Sequence, residues 1–164
     1  ILNLKNKKGK SFFEFTKKTL PFFILIILIY LQIIFGAFVS GLDAGRIYQT
    51  WPMMGDTYLP NDLIINNFYE FLNFDNHSLV QFYHRNTAYI ISIYILVLSY
   101  LIFKDKKINL YAPTIFLNFI LFIQIMLGIL TLITNLHIYV ASAHQITSVI
   151  LALSSINLYY SMIK

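Results

Sequence analysis

The stretch VQFYHRNTAY, Val80–Tyr89, places Gln81, His84 and Arg85 inside a run that is otherwise apolar enough to cross a membrane. A related stretch, ASAHQITS at Ala141–Ser148, follows nearer the C-terminus. Aligning the two stretches pairs the following residues: His77 with His137, His84 with His144, Arg85 with Gln145, Thr87 with Thr147, and Ala88 with Ser148. The chain therefore contains an internal repeat, which places two histidines at equivalent positions in two predicted helices.

The composition is that of an integral membrane protein. The 164 residues are 58% hydrophobic and only 12% charged, with a mean hydropathy of +0.68, whereas soluble domains carry about 25% charged residues. The sequence has no cysteine, which excludes disulfides and thiolate-bound metals and leaves histidine, carboxylate and thioether ligands. Because the chain begins with Ile1 and its first apolar segment is too long for a signal peptide, we expect part of a longer protein.

The basic residues are distributed as in a membrane protein with both termini on one side. The net charge is +5, but ten of the twelve basic residues fall on the same side of the predicted spans. These ten are Lys5, Lys7, Lys8, Lys10, Lys17, Lys18, Lys104, Lys106, Lys107 and Lys164. The positive-inside rule then places both termini in the cytoplasm or the mitochondrial matrix, with the chain in the bacterial cell membrane or the mitochondrial inner membrane. Because this charge follows membrane topology, we expect no nucleic-acid partner.

The hydropathy pattern predicts an all-α fold, a transmembrane four-helix bundle made of two repeated helix hairpins. We expect a basic cytoplasmic lead-in at residues 1–19 and a transmembrane domain at 20–164, with helices at about 21–40, 79–103, 112–134 and 138–163 and an outer loop at 41–76. The segment QIMLG, Gln124–Gly128, repeats QIIFG, Gln32–Gly36. Gln32, Gly36 and Ser40 form a stripe that should face protein, because an amide in hydrocarbon needs a partner.

The two aligned histidines lie at matching depths in the predicted helices. At 1.5 Å per residue, His84 is roughly 8 Å inside its helix and His144 about 9 Å inside its own. Small or polar residues share the face of each histidine: Gln81, Ala88 and Ser92 on one helix, and Ala141, Ser148, Ala152 and Ser155 on the other. These faces leave space for a large flat group, so we predict a haem with His84 and His144 as axial ligands. The alternative is that each histidine only hydrogen-bonds a neighbouring helix.

Two arginines and one glutamine are the other candidate cofactor-binding residues. Arg85 carries a charge near the edge of the hydrocarbon and requires an anion, for which a haem propionate, Asp43 or Asp75 would serve. Arg46 is the one cation of the outer loop, and it pairs either with Asp43 or with a propionate. Gln81 lies on the side of its helix that should face the haem.

A second pair of histidines, His77 and His137, lies seven residues earlier in each stretch, at the predicted headgroup level. We expect both to be interfacial side chains in contact with water. The alternative is a second haem that lies half in water.

Four motifs, spread over nearly the whole chain, resemble those of one enzyme family. They are GLDAGRIYQTWPMMG at Gly41–Gly55, VQFYHRNTAY at Val80–Tyr89, QIMLGILTL at Gln124–Leu132 and SAHQ at Ser142–Gln145. Together they resemble the C-terminal half of haem A synthase, the membrane enzyme that supplies haem A to cytochrome oxidases. The family is built from two homologous four-helix halves, and its second half holds haem b between two histidines, which the resemblance places at His84 and His144.

The resemblance also implies that the two halves have different tasks. The first half of the family holds the substrate haem O and has a glutamate three residues before its histidine–arginine pair, where this chain has Gln81; before His144 it has Ala141. The chain is therefore expected to bind haem b and relay electrons, while a methyl group of haem O is oxidised to a formyl group in the missing N-terminal half. The expected partners are haem O in that half, haem O synthase or cytochrome oxidase assembly factors, and the lipid bilayer.

Two other functions are compatible with the same residues. One is a stand-alone cytochrome b-like electron carrier of the membrane, with no catalysis of its own. The other is a structural or assembly protein whose histidines only lock helices together. A reducible, low-spin haem spectrum would separate both haem interpretations from the structural one.

Overall fold

Four long α-helices make up most of the described chain. The structure is a computed structural model, and it describes residues 16–63 and 67–164. The helices are α1, Leu20–Gly41; α2, His77–Lys104; α3, Tyr111–Ile133; and α4, Ile138–Ile163. Short 3₁₀ turns lie at Ala44–Arg46, Phe68–Leu72 and Ile108–Leu110. All four helices are long and apolar enough to cross a membrane, which confirms the predicted all-α transmembrane fold.

Local backbone chemistry sets the ends of the helices. Asn76 accepts a hydrogen bond of 3.0 Å from the backbone N–H of Leu79, and this N-cap starts α2 at His77, ahead of the predicted start at residue 79. Between α3 and α4, Asn135 and Leu136 have positive φ angles of 54° and 60°, and the chain reverses there in a tight turn. Of the predicted basic lead-in, residues 1–15 lie outside the described residues.

The helices pack most closely within each hairpin, α1 with α2 and α3 with α4, and α1 also packs along α4. Over the described residues, α2 and α4 are not closely packed against each other. These are the two helices that carry His84 and His144, so the two histidines lie on helices that are more widely separated than the partners of a hairpin.

The fully buried apolar residues are concentrated at one end of the bundle. We call the end that carries the outer loop the loop end, and the other the opposite end. The continuous core lies at the opposite end, and its largest fully buried members are Leu25, Ile29, Ile95, Ile102, Leu117, Leu158 and Tyr159. Among the described residues, by contrast, none is fully buried between Tyr30 and Gly41 of α1 or between Phe122 and Ile133 of α3. The loop ends of α1 and α3 therefore contribute little to the close-packed core.

Large apolar side chains also cover the outside of the helices. Residues that are more than half exposed include Ile27, Ile34, Ile93, Leu96, Phe119, Phe122 and Leu153. An apolar surface of this extent would aggregate in water and is stable in contact with lipid chains. The chain is an integral membrane protein.

Candidate functional site

The two predicted ligands, His84 of α2 and His144 of α4, lie near each other at the loop end. Their ring centroids are 6.5 Å apart, and their ring planes are inclined at 81°. Two imidazoles that bind one metal ion from opposite sides, each through a bond of about 2 Å, have centroids roughly 6 Å apart. The centroid spacing is therefore close to that of two imidazoles about one metal ion, while the ring nitrogens in this structure contact Gln32 of α1 and Gln124 of α3.

The described residues around these rings do not supply the ligand set of a metal ion held by protein alone. Within residues 16–63 and 67–164, no group of three or more His, Cys, Asp and Glu side chains could hold a metal ion. A protein-only zinc site takes three or four protein ligands, whereas the porphyrin supplies the equatorial ligands of a haem and the protein only the axial ones.

A glutamine and a glycine of α1 form the contact surface for the His84 ring. The Gln32 amide nitrogen, Nε2, lies 3.1 Å from His84 Nδ1 and 3.4 Å from His84 Nε2, and it donates a hydrogen bond of 3.0 Å to the His84 carbonyl oxygen. A Cβ atom at Gly36 would lie 3.2 Å from His84 Cε1. The absence of a side chain at Gly36 therefore lets the imidazole lie directly against α1.

The equivalent residues of α3 contact the His144 ring. His144 Nδ1 lies 3.2 Å from the backbone carbonyl oxygen of Gln124, and the Gln124 Nε2 lies 3.5 Å from His144 Nε2. A Cβ atom at Gly128 would lie 3.0 Å from His144 Cε1. We call each of these two sets, Gln32 with Gly36 and Gln124 with Gly128, a histidine cradle.

The sequence predicts that the Gln32 stripe faces protein, but it does not identify what the stripe contacts. The signal was present, because QIIFG and QIMLG recur one helix before each histidine. A Gln and a Gly four residues apart lie on one face of a helix, so a histidine opposite that face can meet both. Only the packing of α1 on α2 and of α3 on α4 shows that it does.

Arg85 and Gln81 hold the outer loop against α2. Arg85 is 8% exposed, and its Nη1 donates to the carbonyl oxygens of Thr50 and Met53 at 2.8 and 3.1 Å. Its Nη2 and the Gln81 Nε2 both donate to the Tyr48 carbonyl oxygen, each at 2.8 Å. Arg85 Nε and Gln81 Oε1 are buried and have no hydrogen-bond partner among the described residues. Backbone carbonyls, and not Asp43 or Asp75, therefore receive the Arg85 hydrogen bonds in this structure.

Arg46 lies at the surface of the outer loop. Its Nε is 3.7 Å from Asp43 Oδ1, and the two side chains are 71% and 75% exposed. Of the two predicted partners, the structure places Asp43 beside it. An ion pair this exposed contributes about 0–1 kcal/mol, so Arg46 can exchange Asp43 for another anion at little cost.

Asp62 ties the outer loop to the start of α2. The Tyr48 hydroxyl donates to Asp62 Oδ1 and the Ser78 hydroxyl donates to Asp62 Oδ2, both at 2.6 Å. Partial burial opposes ionisation of Asp62, but the hydrogen bonds from Ser78 and Tyr48 outweigh it and lower the pKa of the carboxyl group. Burial, together with the bond to this carboxylate, raises the pKa of the Tyr48 phenol. The ionised form of Asp62 therefore fastens the outer loop.

His77 and His137 lie at the loop-end starts of α2 and α4, where both are exposed. His77 is the first residue of α2, while His137 directly precedes α4 with its ring centroid 5.6 Å from that of Tyr139. Both side chains are exposed at the ends of their helices, and their contact with water at the headgroup level stays a prediction.

Proteins of known family resemble this chain over most of its length. The profile of the COX15-CtaA family, described as cytochrome oxidase assembly protein, matches residues 3–156. The heme A synthase of Pelagibacter ubique (strain HTCC1062) is 42% identical over 144 residues, which cover 87% of this chain and 42% of that protein. The heme A synthase of Rickettsia bellii (strain OSU 85-389) is 40% identical over 139 residues, 85% of this chain and 41% of that protein. The chain thus spans about two fifths of the length of these curated relatives.

Proposed function

The chain belongs to the COX15-CtaA family of cytochrome oxidase assembly proteins, and on that premise we propose that it is the haem b-binding half of a haem A synthase. In this proposal His84 and His144 are the axial ligands of haem b, and the chain relays electrons. The oxidation of a haem O methyl group to the formyl group of haem A takes place in a companion half. The observation that carries the proposal is the 6.5 Å spacing of the two imidazole rings.

The packing of the bundle supports a flat ligand between α2 and α4. These two helices are not closely packed over the described residues, and the continuous apolar core lies at the opposite end. A haem held there would fill the loop end in the way that cofactors fill other helical bundles. When bound, it supplies one-electron chemistry, while the helices fix its ligands and limit the access of water.

The four helices offer no carboxyl group for proton transfer. None of them contains Asp or Glu, and the positions one turn before the two ligands are Gln81 and Ala141. Abstracting or delivering a proton during methyl oxidation requires a group that titrates in reach of the substrate. This supports electron transfer as the task of this chain, with the oxidation assigned to a half that has such a group.

Three residues are proposed to hold the propionate edge of the haem. Arg85 Nε is a buried donor with no partner among the described residues, and a carboxylate is the acceptor that a guanidinium binds best. Gln81 and Arg85 both donate a hydrogen bond to the Tyr48 carbonyl oxygen. Gln81 therefore fixes the outer loop above this edge. Arg46 is exposed and only weakly paired, so it can turn to a propionate from the outer loop.

The proposed surroundings follow from the family and the charge pattern. The chain lies in the bacterial cell membrane or the mitochondrial inner membrane, with both termini in the cytoplasm or the matrix. Its proposed partners are the substrate haem O in the companion half, and haem O synthase or cytochrome oxidase assembly factors. The lipid bilayer surrounds the four membrane-spanning helices.

An absorption spectrum of the purified chain tests the haem site. We expect a reducible, low-spin Soret band in the wild type that is lost in His84→Ala and in His144→Ala. His137→Ala is the matched control, because His137 is exposed outside the site, and it should keep the wild-type spectrum. An unaltered spectrum in either ligand variant would show that the ligands are assigned wrongly.

Haem A formation tests the assignment of tasks. Membranes that contain the chain, the companion half and haem O should form haem A, and His84→Ala should abolish it. Membranes with the chain alone should bind haem b and leave haem O unchanged. Formation of haem A by the chain alone would contradict the assignment of the oxidation to the companion half.

A further inference from the structure

The two histidine cradles have the same residue types but do not hold their histidines by the same atoms. His144 Nδ1 contacts the backbone carbonyl of Gln124, whereas the nearest partner of the His84 ring is the Gln32 side-chain amide. A substitution can remove a side-chain amide but cannot remove a backbone carbonyl. The two proposed axial ligands should therefore differ in how they depend on the glutamine beside them.

The tautomer of the His144 ring follows from its contact with a backbone carbonyl. A carbonyl oxygen can only accept a hydrogen bond, so Nδ1 of His144 carries the proton and donates across the 3.2 Å to Gln124. The lone pair of the neutral ring is then on Nε2, the nitrogen available for a metal. Donation from the remote nitrogen to a fixed acceptor also orients the ring and raises its basicity as a ligand.

The tautomer of the His84 ring depends on the side chain of Gln32. The Gln32 amide nitrogen lies within 3.4 Å of both ring nitrogens, while its oxygen, Oε1, is buried without a partner among the described residues. An amide presents a donor on one atom and an acceptor on the other. Depending on which atom faces Nδ1, Gln32 favours the ring form with the lone pair on Nδ1 or the form with the lone pair on Nε2.

We propose that Gln32 is a positioning residue whose side-chain amide selects the ring nitrogen that His84 presents to the haem iron, whereas His144 is set by the backbone of Gln124. This inference rests on the proposed haem site, and it adds an asymmetry between the two ligands. A half-turn of the Gln32 amide gives up the hydrogen bond from Gln32 Nε2 to the His84 carbonyl oxygen, brings Oε1 to His84 Nδ1 and leaves Nε2 of the ring for the iron. On the His144 side, Nδ1 already has its acceptor, and the Gln124 amide has only to withdraw from Nε2, from which it is 3.5 Å away.

The test compares Gln32→Leu with Gln124→Leu in the purified, haem-loaded chain. Both changes remove one amide of similar size from the same position of a QxxxG segment. Loss of a partner of a metal-binding histidine typically weakens metal affinity about 10- to 100-fold, so Gln32→Leu should lose haem by about that factor. Its electron paramagnetic resonance g-values, which report the orientation and hydrogen bonding of the axial imidazoles, should also change. Gln124→Leu removes only the 3.5 Å amide contact with His144 Nε2 and keeps the backbone acceptor of Nδ1, so it should change both readouts less than Gln32→Leu does.

A second variant covers the case in which Gln32→Leu does not fold. Gln32→Glu offers His84 Nδ1 a carboxylate acceptor, so it should retain haem with a reduction potential below that of the wild type, because a more basic imidazole stabilises ferric iron. An unchanged potential in Gln32→Glu would overturn the inference.

The outcomes separate this inference from the function on which it rests. Equal changes in Gln32→Leu and Gln124→Leu, with a normal low-spin spectrum in the wild type, would overturn the asymmetry and leave the haem site standing. A wild-type chain without a low-spin haem spectrum would overturn the proposed function and the inference together.

Discussion

One added methyl group at Gly36 or at Gly128 is expected to weaken haem binding, whereas the same change at Gly41 is not. A Cβ atom at Gly36 would lie 3.2 Å from His84 Cε1, and one at Gly128 would lie 3.0 Å from His144 Cε1. At Gly41 no atom lies within 4 Å of the added group. Gly41→Ala is therefore the matched control, in the same helix as Gly36.

The size of the effect follows from these distances. Non-bonded carbon atoms prefer a separation of about 3.5–4.0 Å, so each ring has to move by roughly 0.3–0.5 Å, which exceeds the tolerance of about 0.2 Å for metal–ligand distances. Overpacking of this kind costs about 1–3 kcal/mol, which corresponds to roughly 5- to 150-fold weaker haem binding. The loss should be greater at Gly128, because its gap is the shorter one. Alanine in place of glycine otherwise stabilises a helix interior by roughly 0.5–1 kcal/mol.

Haem titration measures the predicted loss of haem affinity directly. Haem is added to each haem-free variant in lipid nanodiscs and the Soret band is followed, while circular dichroism during heating checks that each variant is folded. The expected affinities are highest and equal for the wild type and Gly41→Ala, lower for Gly36→Ala and lowest for Gly128→Ala. Wild-type affinity in both cradle variants, or an equal loss in Gly41→Ala, would refute the cradle geometry.

Three further predictions concern the outer loop and α2. Arg85→Leu should accelerate proteolysis of the outer loop at least about tenfold, since a hydrogen bond made by a charged group contributes about 1.5–3 kcal/mol; Arg46→Leu, which removes only an exposed pair, should not. Because the folded pKa of Asp62 is lowered, the stability from its ionised form is present above the ordinary value of 3.8 and is lost as the pH falls through the lowered value. The hydrogen-exchange protection of the outer loop relative to the intrinsic exchange rate at each pH should therefore fall below about pH 4, and in Asp62→Asn it should lack this dependence. Asn76→Ala should lower the stability of the chain by about 1 kcal/mol through loss of the α2 N-cap, and an unchanged melting temperature would contradict this role.

The membrane helices could be predicted from hydropathy because a backbone in lipid has to satisfy its own hydrogen bonds, and a helix of about 20 apolar residues does so. The start of α2 was harder to predict. Polar residues surround it on both sides, and the start depends on one side-chain bond from Asn76 to the Leu79 N–H. From the sequence alone, the helix could begin at any of several neighbouring residues, because the position of the preceding loop is not known.

The partners of the polar residues at the site were beyond sequence reasoning. The charge of Arg85 shows that it needs hydrogen-bond acceptors. The sequence does not identify three carbonyls of a distant loop as those acceptors, because every residue has a carbonyl. The repeat of QIIFG as QIMLG was visible, yet whether Gln32 contacts His84 depends on how α1 crosses α2. By contrast, the equal depth of His84 and His144 follows from spacing along helices alone, and the structure places their rings 6.5 Å apart.

The concentration of buried apolar residues at the opposite end has a consequence for how the protein matures. The core that joins the four helices does not include His84 or His144, so the bundle can assemble in the bilayer before any cofactor arrives. Lifting the outer loop from the loop end of α2 breaks the hydrogen bonds of Arg85 and Gln81 but leaves that core intact. We therefore expect haem to be inserted late, by a local opening of an already assembled bundle, and not as a step of folding.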